Sequence, residues 1–473
     1  MNIREAIQQT ETALRAYAAR DARGMPLIPV AMQRPIYLLG APGLGKTAAV
    51  AEVAQRLQVG LVSCTLTHHT RQSALGLPKI VTRTFAGEEM SVTEYTMSEI
   101  IAEVYRYIEK TGQKKGILFL DEINCVSETL LPAVMELLQQ KRFGTHRVPE
   151  GWMIVCAGNP EQYNRSARAF DPVAMDRVRV MHIEPDLNAW LEYAAENDVH
   201  PAVRSYLRLS PEDFYKITVD GTVTPRSWTD LSRMMIALET MGAAIDETLL
   251  EQYLQESDIC KRFSMYLKMC FGMQSALDLN GVLDGNFAIA PEMQQKSFEE
   301  ALFAATLLSE RVRAEMLNAD ALRETAVRLE QFVQGAQQET GDFAQSCRER
   351  LARRENVLKL RKQVGGLSED EERREKQLLD CIRESLGNAF KANDFAAALN
   401  AQMENARRNG ETACRHAGQC AENAFTFMHQ AFPRRVQIVM LSDLVHDERV
   451  YRALQKALPE KMQELEDALK PKE

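Results

Sequence analysis

Gly40-Ala41-Pro42-Gly43-Leu44-Gly45-Lys46-Thr47 follows the apolar run at 36–39 and opens a stretch of helical character. A glycine-rich turn between a strand and a helix, closed by Lys-Thr, is the P-loop pattern. Glycines let backbone N–H groups come close to phosphate oxygens, and the N-terminus of the next helix favours negative charge. Gly40, Ala41, Pro42, Gly43, Leu44 and Gly45 therefore make a candidate phosphate cradle. Lys46 can reach the terminal phosphates, and Thr47 offers an oxygen ligand to Mg²⁺.

Outward from this turn, short apolar runs at 36–39, 61–66, 117–120, 153–157 and 178–183 alternate with helical stretches. That alternation predicts an α/β domain, a parallel sheet covered by helices. The run Ile117-Leu118-Phe119-Leu120-Asp121-Glu122 delivers two carboxylates to the C-terminal edge of the sheet, where ligands sit in open parallel sheets. Asp121 suits an Mg²⁺ ligand acting through its water shell, and Glu122 suits a base that orients the water attacking a γ-phosphate. Two further segments read as hairpins: 80–96 around Ala86-Gly87, and 141–149 around Gly144.

Before residue 26 the spacing of Ile3, Ala6, Ile7, Ala13, Leu14 and Tyr17 predicts a leading helix, broken by Gly24 and two prolines. After Pro185 the strand signals fade. The expected organisation is an N-terminal helix (1–25), an α/β domain (26–185), a helical lid (186–290) and a helical C-terminal region (291–473) for partner or client binding. A break at Gly365-Gly366 and a capping box from Ser368 to Glu371 start one of the last helices.

A chain of 473 residues with 45% hydrophobic content can build several packed cores. A formal net charge of -9 counts against a main role in coating nucleic acid, which needs a concentrated positive field. Nine scattered cysteines argue for a reducing compartment rather than a disulfide framework. With no apolar leader and no run long enough to cross a bilayer, the expectation is a cytoplasmic protein without membrane insertion.

Cys156-Ala157-Gly158-Asn159-Pro160, Asp171-Pro172-Val173-Ala174-Met175-Asp176-Arg177 and Thr224-Pro225-Arg226-Ser227-Trp228 follow the two acidic residues in that order. With the P-loop, this series resembles the MoxR-like, dynein-related branch of the AAA+ ATPases. The resemblance covers residues 26 to about 240, and the lid more loosely. It implies an AAA+ P-loop NTPase core with a five-stranded parallel sheet, a helical lid and an all-α C-terminal extension. Further implications are ATP with Mg²⁺, a hexameric ring, and a partner protein with a von Willebrand factor A domain. By the same resemblance Asn159 is the sensor-1 residue, Arg226 the sensor-2 arginine, and Arg177 the arginine finger acting on a neighbour's ATP, with Arg179 as its rival. A guanidinium suits both arginine roles, because transition-state charge spreads over the γ-phosphoryl oxygens. The hairpins resemble the helix-2 insert and pre-sensor-1 hairpin of this branch. The chain departs from threading unfoldases at 67–78, which lacks their aromatic-hydrophobic-glycine grip, so unfolding of generic substrates is not expected.

The implied function is an ATPase that remodels or activates a partner protein. Alternatives are a nucleic-acid-dependent motor, and a nucleotide-switched scaffold with little turnover. The adjacent His68 and His69, and the set Cys414, His416 and Cys420, lack metal-site spacing. The basic stretch 348–362 reads as a solvated helix face, with docking of an acidic partner or nucleic acid as the alternative.

Overall fold

The computed structural model describes residues 1–164, 166–218, 221–339, 342–363 and 369–463. The Gly365-Gly366 break and Ser368 lie outside them. The chain forms two compact units, one of Met1–Ala189 with the segment starting at Leu360, and one of Trp190–Lys359 with the chain from Glu369.

In the first unit the helices are α1 (Ile3–Ala18), α2 (Lys46–Arg56), α3 (Arg71–Leu75), α4 (Glu99–Thr111), α5 (Leu131–Gln140) and α6 (Pro172–Asp176). Its strands are β1 (Ile36–Gly40), β2 (Gly60–Thr65), β3 (Pro78–Phe85), β4 (Glu88–Tyr95), β5 (Gly116–Asp121), β6 (Arg142–Phe143), β7 (His146–Arg147), β8 (Trp152–Gly158) and β9 (Arg179–Ile183). The five apolar runs become one sheet in the order β2-β5-β8-β1-β9, with every neighbouring pair parallel. Helices cover both faces, so the central strands read as continuous apolar runs rather than alternating ones. Ile117, Leu118, Phe119 and Leu120 are all buried, each contributing about 1.5–3 kcal/mol by leaving water.

Register fixes what meets at the sheet edge. Thr65 lies opposite Asp121, Leu120 opposite Cys156, and Leu39 opposite Gly158. The C-terminal ends of β1, β5 and β8 are therefore adjacent. At the opposite edge the Trp152 ring covers Gly116, where an added Cβ would come within 2.6 Å of it.

Both expected hairpins form. β3 and β4 are joined by Ala86 and Gly87, at φ 50° and 91°, the left-handed pair a two-residue turn requires. β6 and β7 turn at Gly144. The leading helix α1 starts with a reciprocal cap between Asn2 and Glu5, and the break after it closes through an Arg20–Pro26 bridge.

The second unit is almost wholly helical. It takes in most of α7 (Leu187–Glu196), then α8 (Pro201–Leu209), the short pair β10 (Lys216–Ile217) and β11 (Thr222–Val223), α9 (Pro225–Thr240), α10 (Glu247–Tyr253) and α11 (Ser257–Ala276). After α12 (Leu279–Leu283) and α13 (Ala290–Met293) come the long α14 (Phe298–Gln337), α15 (Phe343–Gln363), α16 (Glu369–Ala389), the long α17 (Phe395–Ala431), α18 (Arg434–His446) and α19 (Glu448–Ala457). α14 and α17 pack along each other, and their far ends join α15 and α16 around Phe332, Cys347, Ile382, Leu386 and Leu399.

Charged groups tie α8 to α14 and α18. The Arg204 side chain is fully buried, donating to Glu310 and facing Asp443, while Arg208 donates to Asp443. Arg313 donates from Nε to Asp447 at 3.0 Å and from Nη1 to Asp198 at 2.6 Å. A cation this deep persists only when acids meet it.

Four basic residues of the stretch 348–362 have partners in the second unit. Arg350 and Arg353 pair with Glu339, Arg354 pairs with Glu375, and the Arg348 guanidinium sits 4.0 Å from the centroid of the Phe390 ring. All nine cysteines are free thiols. No described helix is long and apolar enough to cross a membrane.

Candidate functional site

The glycine-rich turn leaves β1 and enters α2 with Gly43 and Gly45 at φ 78° and 84°, left-handed values that cost glycine little. Gly45 is the N-cap of α2, so the first amides of that helix face the turn. Inside it the buried Lys46 Nζ donates to the carbonyls of Gly40 and Ala41, both at 2.8 Å, and to Asn159 Oδ1 at 2.9 Å. The lysine thus links the turn after β1 to the residue that follows β8.

At the end of β5, Asp121 Oδ2 accepts from Thr47 Oγ1 at 3.1 Å, and Asp121 Oδ1 accepts from the Glu122 amide at 2.9 Å. Hydroxyl and carboxylate oxygens side by side form the hard donor set that Mg²⁺ prefers, so this pair fits the cation. Glu122 sits at φ 53°, a left-handed conformation uncommon for a residue with a side chain. Its Oε2 accepts from Thr67 Oγ1 at 3.0 Å. Asp121 and Glu122 are half-buried, at the rim rather than in the core.

Two hydrogen-bonded groups, Lys46 with Asn159 and Thr47 with Asp121 and the Glu122 amide, therefore bring five of the candidates to one edge of the sheet, joined through the Lys46–Thr47 peptide. Arg177 stands apart. It follows α6, whose N-cap Asp171 accepts from the Ala174 amide, and it lines a cleft of about 200 Å³ with Asn124, Met135 and Phe170. The half-buried Arg177 side chain makes no hydrogen bond or ion pair among the described residues. Its rival Arg179 lies in β9 and donates to Gln9 Oε1 at 2.8 Å. Arg226 is an exposed residue in the first turn of α9, in the second unit, where Thr224 and Ser227 cap the helix reciprocally.

Two residues escaped the sequence reading. Thr67 holds Glu122, and its only signal is that it lies just past β2, whose last residue is registered with Asp121. Asn124 holds Asn159: its Nδ2 donates to Asn159 O at 2.7 Å, and its Oδ1 accepts from the Asn159 amide at 3.3 Å. No spacing rule marks a polar residue in the turn after an acidic pair.

Nearby, burial pushes the Cys125 thiol up, with Glu122 and Asp121 adding to the effect. Burial also lowers the Lys141 ammonium to about 8. Lys141 Nζ donates to Gln33 Oε1 at 3.0 Å, and Gln33 Nε2 donates in turn to the carbonyls of Tyr17 and Ile28. That chain fastens the segment after α1 to the end of α5.

No curated protein matches the chain. Among solved structures, the Thermotoga maritima RuvB Holliday junction branch migration motor is 17% identical, with a TM-score of 0.31, over 60% of this chain and 76% of that one. A proline-to-glycine mutant of the same RuvB is 16% identical, with the same TM-score of 0.31, over 64% of this chain and 82% of that one. At that TM-score the likeness carries no argument, and the fold rests on the strand order itself. Residues 35–177, from the start of β1 through Arg177, match the family model for the AAA domain of the dynein-related subfamily, and the first unit carries an AAA domain of that kind.

Proposed function

We propose that this chain binds ATP with Mg²⁺ at the edge of its sheet and hydrolyses it, using the energy in a homo-oligomeric, hexameric ring to remodel or activate a partner protein. The observation that carries the reading is that Lys46 bonded to Asn159, and Thr47 bonded to Asp121 beside Glu122, meet at one sheet edge, each offering the group that phosphoryl transfer needs. Backbone amides of the turn and Lys46 meet the β- and γ-phosphates. Thr47 and Asp121 hold Mg²⁺, which neutralises charge on the phosphates when bound.

Glu122 orients and deprotonates the attacking water once its carboxylate leaves Thr67. Asn159 fixes that water from the neighbouring strand. Arg177 supplies charge to the ATP of the next subunit, a role favoured by its lack of a partner among the described residues. Arg226 reports nucleotide state from the helical lid. The partner, one with a von Willebrand factor A domain, is carried by the resemblance to MoxR-like proteins alone. The matched charges of 348–362 favour a protein client over nucleic acid.

The test is steady-state phosphate release by the native chain, by Lys46→Ala, and by the native chain in EDTA. Turnover that disappears in both of the latter supports the reading. Tight ATP binding with negligible turnover would favour a nucleotide-switched scaffold, and turnover strongly stimulated by DNA would favour a nucleic-acid motor.

A further inference from the structure

We propose that Asn124 is a positioning residue for ATP hydrolysis, aligning the backbone of Asn159 and the approach to Arg177 with the turn that carries Glu122. This rests on the hydrolytic reading above. Asn124 is 4% exposed and lies two residues beyond Glu122, in the tight turn after β5. Its amide meets both polar groups of one residue: Nδ2 donates to Asn159 O at 2.7 Å and Oδ1 accepts from Asn159 N at 3.3 Å. A primary amide can pair with a peptide in this way as an adjacent strand would, whereas a carboxylate or an apolar side chain cannot.

The backbone of Asn124 reaches a third segment. Its carbonyl accepts from the Arg168 amide at 2.9 Å, and Nδ2 lies 3.4 Å from Arg168 O. Residues after Arg168 lead to the Asp171 cap of α6 and then to Arg177, and Asn124, Arg168 and Arg177 line the same cleft. One buried residue thus ties together the turn of Glu122, the backbone of Asn159 through its side chain, and the approach to Arg177 chiefly through its own carbonyl.

Gly158 shows how closely this amide is seated. A Cβ there would come within 2.4 Å of Asn124 Oδ1 and 2.5 Å of the Tyr37 hydroxyl, so only glycine leaves room for the clamp. With its backbone held, Asn159 keeps Oδ1 directed at Lys46 Nζ, 2.9 Å away. Displacing an aligned group by about 1 Å can slow a reaction on the order of a hundredfold, so Asn124 acts on turnover through Asn159 without touching the nucleotide.

The test compares the full-length native chain with Asn124→Ala and Asn124→Asp, measuring kcat, KM, affinity for a fluorescent ATP analogue, and thermal unfolding. In Asn124→Ala, kcat falls about tenfold or more while nucleotide affinity stays within about threefold. In Asn124→Asp the ionised carboxylate sets acceptors against Asn159 O. At about pH 8 its kcat therefore falls at least as far as in Asn124→Ala. Should Asn124→Ala fail to fold, the Asn124→Asp chain decides the matter. Native kcat in either variant overturns the assignment of Asn124 alone. A native chain without turnover overturns the hydrolytic reading and this assignment together.

Discussion

The two units use charged residues in opposite ways. In the first, Lys46, Asp121 and Glu122 gather where strands end, the lysine buried against turn carbonyls and Asn159, the two acids half-buried and held by the Thr47 and Thr67 hydroxyls. In the second, the buried Arg204 and Arg313 and the half-buried Arg208 are met by Glu310, Asp443 and Asp447, with the exposed Asp198 at the edge of the cluster. Buried charge alone therefore does not mark a site. A site needs charges that converge on an accessible edge with bonding capacity to spare, and a parallel sheet supplies such an edge at its strand ends.

The largest effect should come from the sheet edge. Glu122→Gln should lower ATP turnover by about 10²–10⁴-fold while the urea midpoint stays put, since the group is removed from chemistry and not from the core. Loss of turnover with equal loss of stability would erase the contrast between the units.

Asp443→Ala should do the reverse. It strands Arg208 and leaves the buried Arg204 with Glu310 alone, and should cost about 3–5 kcal/mol in urea unfolding. A cost below about 1 kcal/mol would mean that water already answers this cluster.

Lys141 tests a smaller case, a buried cation of the first unit for which Gln33 is the hydrogen-bond partner. Its folded-state value of about 8 lies below the ordinary 10.5. Below pH 8 both states carry the proton and the burial cost is constant. Between those values the unfolded chain holds a proton that the folded chain has shed, so stability rises with pH. Relative to Lys141→Gln, the native chain should gain on the order of 2 kcal/mol between pH 8 and 10, read from urea unfolding at each pH. A flat difference would place the ammonium in water. The smallest effect belongs to Arg353→Glu, an exposed partner of Glu339, which should leave the unfolding midpoint within measurement error.

The sheet was legible because each of its strands is a separate apolar run bounded by turn residues, and because a Gly-Lys-Thr turn admits few readings. Register then brought Asp121 beside Thr47 and Asn159 beside Lys46, contacts between residues far apart in sequence. Thr67 and Asn124 stayed hidden because a lone threonine or asparagine has no periodicity and takes its meaning from the neighbour that register delivers. In the second unit Pro201, Pro225 and Pro433 mark helix starts, but Gly272, Gly387 and Gly410, which also read as breaks, lie inside α11, α16 and α17, where packing carries the helix through them. The partners of these helices were not legible: the link from Arg204 in α8 to Glu310 in α14 spans 106 residues and follows no motif.

The measurement that tests the central claim most directly is ATP turnover per protomer against protein concentration, with Glu122→Gln and Arg177→Ala beside the native chain. A site completed by the neighbouring subunit predicts specific activity that rises with concentration and is lost in both variants. Activity independent of concentration and unchanged in Arg177→Ala would contradict it, leaving each protomer a self-contained site and removing the ring from the mechanism.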